Sequence, residues 1–325
     1  MINANKMTAG ETQEIISASR EAELRALQWL TDRLDYFNPF RAPDAQTLNK
    51  TIKPLAELAL TCEVANDSAA ADRLPIYRNF ARFIWDEVFS VEAFRENLLE
   101  RASGGYAFSI YASLRKCGFE HLAYRQKLQE LIDNRYALGY EQLPFVKLNL
   151  LHNLKTAGFT WTKPSFKQVY ATSQLASHPD LYHVTVLDAY AITHVLFFLT
   201  DFGRVEADCL SDADRSYLRR ALPRLTEYYI RRRDWDLSAE FLVCLKSAGL
   251  EDLSVYRDAW LLLLASQNED GSFTGPDRLN QADGDPVTAK GAETSAAGEK
   301  WNSFGKNYHT TLVALLALMV ALPPT

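Results

Sequence analysis

The sequence predicts an all-α protein built from repeated helical hairpins, forming one domain over residues 1–325. Three observations support this prediction. Apolar residues recur at three- and four-residue spacing in most segments, whereas the strict alternation of a β-strand is scarce. Prolines and glycines fall between these segments, where they end helices. A helix ending that contains a glycine also recurs at nearly constant spacing along the chain.

The first helix is indicated by leucines at helical spacing, namely Leu24, Leu27, Leu30 and Leu34. The recurring ending then reads LRKCGFE, LKTAGFT, LTDFGRV and LKSAGLE, with its glycines at Gly118, Gly158, Gly203 and Gly249. Successive glycines are 40, 45 and 46 residues apart. A glycine after a helix, followed by a hydrophobic residue, is typical of a left-handed C-terminal cap.

Each interval between these glycines has room for a returning outer helix and the next inner helix. We expect return helices at Leu122–Asn134, Asp212–Arg231 and Ser254–Ser266. A further inner helix without the glycine is expected at Tyr308–Leu322, and an earlier one around Lys53–Ala65. About six hairpins can close into an (α/α)6 toroid, which removes both exposed ends. An open solenoid is the alternative.

The segment Gly275–Asn307 has a different composition. It is rich in Gly, Ala, Asp, Ser and Thr and poor in aliphatic residues until Trp301. A long polar segment of this kind predicts a loop or lid.

Composition and charge exclude several classes of protein. The net charge of −6 and the pI of about 5.6 argue against a nucleic-acid binder, which normally has a basic face. The four cysteines form no CxxC pair, so they are expected to be reduced and buried. The N-terminus lacks an apolar signal core, and the most apolar stretch, Thr310–Leu322, is too short to span a bilayer. These features predict a cytoplasmic protein without a membrane span.

Aligning the repeats on their glycines shows which polar residues share a helix face. Nine positions before the glycine stand Ser109, Asn149, His194 and Glu240. Thirteen positions before it stand Gly105, Phe145, Tyr190 and Asp236; fifteen before it, the last two repeats have Asp188 and Asp234. Positions four residues apart lie on one face of a helix. We therefore predict His194, Glu240, Asp236 and Asp188 as catalytic candidates near one end of the inner helices.

Two short motifs resemble the superfamily of α/α toroids that contains the terpenoid cyclases and protein prenyltransferases. QNEDGSF at residues 267–273 is similar to the Q-x-x-D-G-S-aromatic turn of those cyclases. Tyr308-His309-Thr310 is similar to the Y-H-T that carries the zinc-binding histidine of prenyltransferase β-subunits. The D-x-D-D and D-D-x-x-D motifs of that superfamily are absent, and Asp236 stands where prenyltransferases have a cysteine ligand. The resemblance therefore implies the fold more than an activity.

Asp234, Asp236 and His309 form the predicted metal site, which we expect to take zinc, iron(II) or manganese because its ligands are oxygen and nitrogen. Asp188 and Asp234 would serve equally well as N-terminal helix caps. By position, Arg231 and Arg233 resemble the basic residues that hold a diphosphate in prenyltransferases, although a solvated helix end explains them too. Tyr190, Trp235 and Tyr308 are the predicted ligand-binding aromatic residues.

These features favour an enzyme of bacterial-type specialised metabolism, which would act on a small, largely apolar molecule or a peptide in the cavity of the toroid. The chemistry would be acid–base or metal-assisted. A non-catalytic scaffold that binds a peptide or a protein is the first alternative. A divergent terpene cyclase or prenyltransferase is the second.

Overall fold

Helices form all the regular structure of the chain in the computed structural model, which describes residues 9–42, 45–100, 105–276 and 296–321. The α-helices are α1 (Ala9–Thr31), α2 (Ala45–Ser68), α3 (Leu74–Phe83), α4 (Glu92–Glu100), α5 (Tyr106–Lys116), α6 (Leu122–Asp133), α7 (Pro144–Thr156), α8 (Phe166–Tyr170), α9 (Val186–Thr200), α10 (Asp212–Arg231), α11 (Trp235–Ser247), α12 (Ser254–Ala265) and α13 (Ala296–Ala321). A π-helical turn, Ile84–Phe89, follows α3. The prediction of an all-α protein is confirmed for these residues.

Six of these helices pack in a cyclic order, and we call them the inner helices. Helix α2 packs against α5, α5 against α7, α7 against α9, α9 against α11 and α11 against α13. Helix α13 also packs against α2, so each inner helix has two neighbours in the set. The other long helices pack outside them: α1 against α12 and α13, α3 against α2, and α10 against α11 and α12.

The predicted glycine caps are confirmed at three inner helices. Gly118, Gly158 and Gly249 have positive φ angles of 96°, 67° and 65°. In each case the following residue donates its N–H to a carbonyl five residues back, as Phe119 does to Leu114 at 3.0 Å. This pattern satisfies a carbonyl that the helix end leaves unpaired. The ending of α9 differs, because Asp201 and Phe202 already have positive φ angles before Gly203.

The return helices also lie where the spacing predicts them. Helices α6, α10 and α12 agree with the expected ranges within one residue at each end. In α1, Leu27 and Leu30 are buried as expected, but Leu24 is about half exposed and does not belong to the apolar face.

The prediction for the last inner helix is wrong at its start. Helix α13 begins at Ala296, so Tyr308 lies inside the helix instead of opening it. The polar composition of residues 275–307 therefore conceals a helix from Ala296 onward, anchored by the buried Phe304. The rest of the expected loop, residues 277–295, lies outside the described residues.

The Gln267–Phe273 turn connects the first helix to the last. Trp29 donates its indole N–H to Asp270 at 2.9 Å, and Arg25 donates to the carbonyl of Asn268 at 2.6 Å. On the other side, Phe273 donates its N–H to Thr311 of α13 at 2.9 Å. The motif therefore has a structural function here.

Within the described part of the chain, no helix has the length and apolar character required to cross a membrane. All four cysteines are free; Cys62 and Cys244 are buried, whereas Cys117 and Cys209 are only half-buried.

Candidate acid–base site in the central cavity

The inner helices surround a cavity of about 170 Å³. The four residues nine positions before the glycines all line it: Ser109, Asn149, His194 and Glu240. His309 of α13 and Glu57 of α2 line it too, so each inner helix contributes to the wall. The apolar part of the wall consists of aliphatic and aromatic side chains, among them Phe197, Phe198, Phe202, Leu312, Val313 and Leu316.

His309 connects three inner helices through its two ring nitrogens. Nδ1 lies 3.0 Å from Oε2 of Glu57, and Nε2 lies 3.4 Å from Oδ1 of Asp236. Tyr190 donates its hydroxyl to the other oxygen of Asp236, which is fully buried. Thr310 donates to Oδ1 of Asp236 at 3.4 Å. The imidazole is thus held between two carboxylates in a fixed orientation.

These neighbours set the charge of His309. Burial disfavours the imidazolium, but Asp236 and Glu57 outweigh it and raise the pKa of His309 to about 9. Burial also acts to raise the pKa of Glu57, yet His309 and Lys53 lower it overall. At neutral pH, His309 is therefore a cation paired with the Glu57 carboxylate.

His194 has the opposite charge behaviour. Burial lowers its pKa to about 4, so the ring is neutral at pH 7. Nδ1 lies 2.9 Å from the backbone carbonyl of Tyr190, which can only accept a hydrogen bond. Nδ1 consequently carries the proton, and Nε2 keeps its lone pair. Nε2 has no hydrogen-bond partner among the residues that the structure describes.

Glu240 is a buried carboxylic acid. Its side chain is only 2 % exposed, and burial together with the negative charge of Asp236 raises its pKa well above the usual range. Thr193 donates its hydroxyl to Oε2. Within the described residues, Oε1 has no hydrogen-bond partner. Glu240 therefore has one oxygen fixed by the protein and one left for a guest.

The structure changes the predicted metal site. One ligand-type atom from each of Asp236, Glu240 and His309 lies within 4.8 Å of the others, so these three side chains could hold a cation. Asp234 is not part of this group. It is the buried N-cap of α11 and accepts the N–H of Leu237 at 3.2 Å.

Asp188 is a capping residue at the start of α9. Its carboxylate accepts the backbone N–H of Thr185 at 2.9 Å as well as the Thr185 hydroxyl, which forms a capping box. It is absent from the residues that line the cavity. The capping alternative thus explains Asp188, and the catalytic prediction does not fit this position.

The predicted ligand-binding residues separate into two groups. Tyr190 reaches the site through Asp236. The remaining four, Arg231, Arg233, Trp235 and Tyr308, do not line the cavity. Arg231 is 76 % exposed and pairs with Glu227 within its own helix, and Arg233 is exposed. Tyr308 is buried against Phe304 and Phe37, where it belongs to the core.

Sequence reasoning missed Glu57 and Lys53. They lie four residues apart on α2, with Nζ of Lys53 3.8 Å from Oε1 of Glu57. Helix α2 has no terminal glycine, so the alignment on glycines did not reach it. A Lys and a Glu four residues apart on one helix, Lys53 and Glu57, were the available signal.

A second polar cluster lies toward the glycine ends of the inner helices. His152 Nε2 is 2.8 Å from Asp201 and 4.0 Å from the buried Glu63. Arg204 pairs with Asp201 at 2.6 Å, which offsets the unfavourable position of a carboxylate at a helix C-terminus. These four side chains form a polar network that connects α2, α7 and the end of α9.

The described residues form an all-helical protein in which acidic and basic side chains line a cavity between six helices. The chain belongs to the family described as "Domain of unknown function (DUF6895)", whose model matches residues 23–319. Comparison with curated proteins gave no match, and comparison with solved structures gave none either.

Proposed function

We propose that the protein is an enzyme that moves protons to and from a small, largely apolar substrate in the central cavity. The observation that carries the proposal is the pairing of His194 and Glu240. Both line the same cavity, and burial lowers the pKa of His194 to about 4 while it raises that of Glu240 well above its usual range. Two titratable groups with pKa values pushed in opposite directions are what acid–base catalysis requires.

We further propose that the six inner helices close into an (α/α)6 toroid. The cyclic packing from α2 through α13 and back to α2 supports this architecture. The turn that joins α1 to α13 supports it as well, because it connects the two ends of the chain. A closed ring leaves no unpaired repeat at either end.

In the proposed mechanism, Nε2 of His194 accepts a proton from the substrate. The hydrogen bond from Nδ1 to the Tyr190 carbonyl holds the ring in the tautomer that leaves Nε2 unprotonated. Oε1 of Glu240 donates a proton at a second atom of the substrate, while Thr193 fixes the other oxygen. The His309 cation stabilises negative charge that develops on the substrate between these two transfers.

The cavity limits the size of the substrate. A cavity of roughly 150 Å³ accepts benzene, and the central cavity measures about 170 Å³. A benzene-sized molecule or the side chain of a peptide therefore fits. A prenyl chain is much longer, so the volume weighs against the terpene cyclase and prenyltransferase alternative.

The test uses two small ketones, cyclohexanone, which is close to benzene in size, and the slightly larger acetophenone, incubated with the protein in D₂O. A binding titration by NMR first establishes that the ketone enters the cavity. Deuterium incorporation next to the carbonyl then reports proton transfer. We expect exchange that falls at least about a hundredfold in His194→Gln and in Glu240→Gln.

The matched control is Asn149→Ala, which changes a residue in the same wall without a titratable group. It should retain most of the exchange. If the wild-type protein binds the ketones but exchanges deuterium no faster than His194→Gln and Glu240→Gln do, the proposed enzymatic activity is contradicted. That result favours the non-catalytic scaffold.

A metal-assisted reaction is the second candidate function. It is supported by Asp236, Glu240 and His309, which each offer one ligand atom within 4.8 Å of the other two. Oxygen and nitrogen ligands of this kind suit zinc, iron(II) or manganese. Glu57 would orient the imidazole through Nδ1, as carboxylates do at many metal-bound histidines.

Elemental analysis of the purified protein separates the two candidates. If the protein contains a stoichiometric metal that is lost in His309→Gln but kept in Asp234→Asn, the metal-assisted reaction is favoured over the acid–base reaction. A metal-free protein that still exchanges deuterium excludes the second candidate.

A further inference from the structure

A second, larger cavity lies next to the central one. Its volume is about 640 Å³, and its wall includes the network of Glu63, His152, Asp201 and Arg204. It lies toward the glycine ends of the inner helices, beyond the wall that closes the central cavity. The two cavities differ in chemistry, since the network lines the second one with polar side chains, whereas the adjoining wall of the central cavity is aromatic.

Phe198 is the one side chain that lines both cavities in the described part of the chain. It is 5 % exposed, and its ring lies between two histidines. The ring centroid is 6.0 Å from that of His194 on the central side and 5.6 Å from that of His152 on the other. Phe202 packs edge-on against it at 6.1 Å and holds it in place.

The position of Phe198 has a direct consequence for a guest in the central cavity. The Phe198 ring lies between His194 and His152, next to Phe202, whose ring centroid is 5.9 Å from that of His152, so a molecule beside His194 that extends toward the glycine ends is expected to meet these rings before it reaches His152. Because protein interiors are closely packed, a buried aromatic ring in contact with three other rings does not yield to a rigid guest without displacing its neighbours. The ring therefore defines the length that the central cavity can accept.

We propose that Phe198 is the specificity-determining residue of this site, and that its ring separates the central cavity from the second one and so restricts the substrate to about the size of benzene. This inference rests on the proposed function for the statement that the guest is a substrate. The barrier itself is a property of the cavity walls and can be measured by binding alone.

Phe197 provides a matched control. It is the adjacent residue, it is equally buried at 5 %, and it lines the central cavity without lining the second one. Truncation to alanine removes the same atoms at both positions. Of these two positions, only 198 lines both cavities, so only its truncation is expected to open one cavity toward the other.

The experiment measures the binding of benzene and of n-octylbenzene to the wild-type protein, Phe198→Ala and Phe197→Ala by NMR titration. We expect all three proteins to bind benzene. We expect n-octylbenzene to bind at least tenfold more tightly to Phe198→Ala than to the other two. In Phe198→Ala, the terminal methyl of the octyl chain should show a nuclear Overhauser effect to the ring protons of His152.

Equal affinity of n-octylbenzene for the two alanine variants, or tight binding to the wild type, overturns the proposed barrier. If Phe198→Ala fails to fold, Phe198→Leu is used instead, since it shortens the side chain but keeps the site apolar. The result is independent of the exchange assay. The binding experiment can establish the barrier even if the ketones bind without deuterium exchange. In that case the proposed enzymatic activity is contradicted and the barrier is not.

Discussion

Glu57 and His309 are in contact at 3.0 Å although 252 residues separate them in the chain. They lie on α2 and α13, the first and last of the inner helices, at the point where these two helices pack together. His309 also lies 3.4 Å from Asp236 of α11. A single histidine thus joins three neighbouring helices, and the two carboxylates beside it raise its pKa to about 9 although burial acts to lower it.

Replacing Glu57 with Gln should lower the pKa of His309 from about 9 toward its ordinary value, because one of the two stabilising carboxylates is lost. A pKa raised by folding contributes stability below pH 6.5 that disappears as the pH rises through 9. The variant should therefore lose roughly 1–3 kcal/mol at pH 6.5 and much less at high pH. Urea unfolding at both pH values, with NMR titration of the His309 ring, measures this. A loss that is equal at the two pH values would contradict the charge assignment.

His194 should make the protein less stable as the pH falls. Its pKa is about 4 in the folded protein and about 6.5 in an unfolded chain, so protons bind preferentially to the unfolded state between these values. The wild type should lose stability between pH 7 and pH 5 relative to His194→Gln, which cannot titrate. Parallel denaturation curves of the two proteins check this prediction. Unchanged relative stability would show that the ring is hydrated and titrates normally.

Gly271 should be among the least replaceable glycines. Its φ angle is 90°, and a Cβ atom would lie 2.4 Å from the carbonyl oxygen of Arg25 in α1. Gly271→Ala should therefore destabilise the protein by more than about 2 kcal/mol, through both backbone strain and the loss of the α1 contact. Gly249→Ala is the control, because its φ is 65° but no atom lies within 4 Å of the added Cβ. There we expect only about 1 kcal/mol, from strain alone. Similar losses in the two variants would exclude the close approach to α1.

Asp188→Ala should reduce stability by about 1 kcal/mol, which is typical for the loss of a helix cap. It should leave ketone exchange unchanged, since Asp188 bonds to Thr185 and does not line the cavity. Thermal unfolding together with the deuterium exchange assay measures both effects. Lost exchange in a variant of wild-type stability would return Asp188 to the catalytic residues.

The helical repeat could be predicted because its signals are local. A glycine that ends a helix, as at Gly118, and the apolar spacing of the following segment depend only on nearby residues. The start of α13 could not be predicted in this way. Ala296–Asn307 is polar in sequence, yet it is helical in the structure. Its aromatic residues Trp301 and Phe304 pack against Tyr36, which follows α1 in the chain.

The alignment on glycines placed His194 and Glu240 at one level of the repeat, and the structure places both on the same cavity. Glu57 could not be placed in this alignment, because α2 lacks the terminal glycine that sets the register of the other inner helices. The alignment also could not separate Asp234 from Asp236. These two residues are only two positions apart, yet the Asp234 carboxylate caps the start of α11, whereas the Asp236 carboxylate contacts His309.

The sequence by itself determined the class of fold, the positions of most helices and the face from which a site would be built, because each follows from local spacing and capping. Tertiary structure decided the pKa values of the two histidines in the central cavity. His194 and His309 are the same residue type, yet the pKa of one is lowered to about 4 and that of the other raised to about 9. The reason is their surroundings: burial dominates at His194, whereas two carboxylates from distant helices outweigh it at His309.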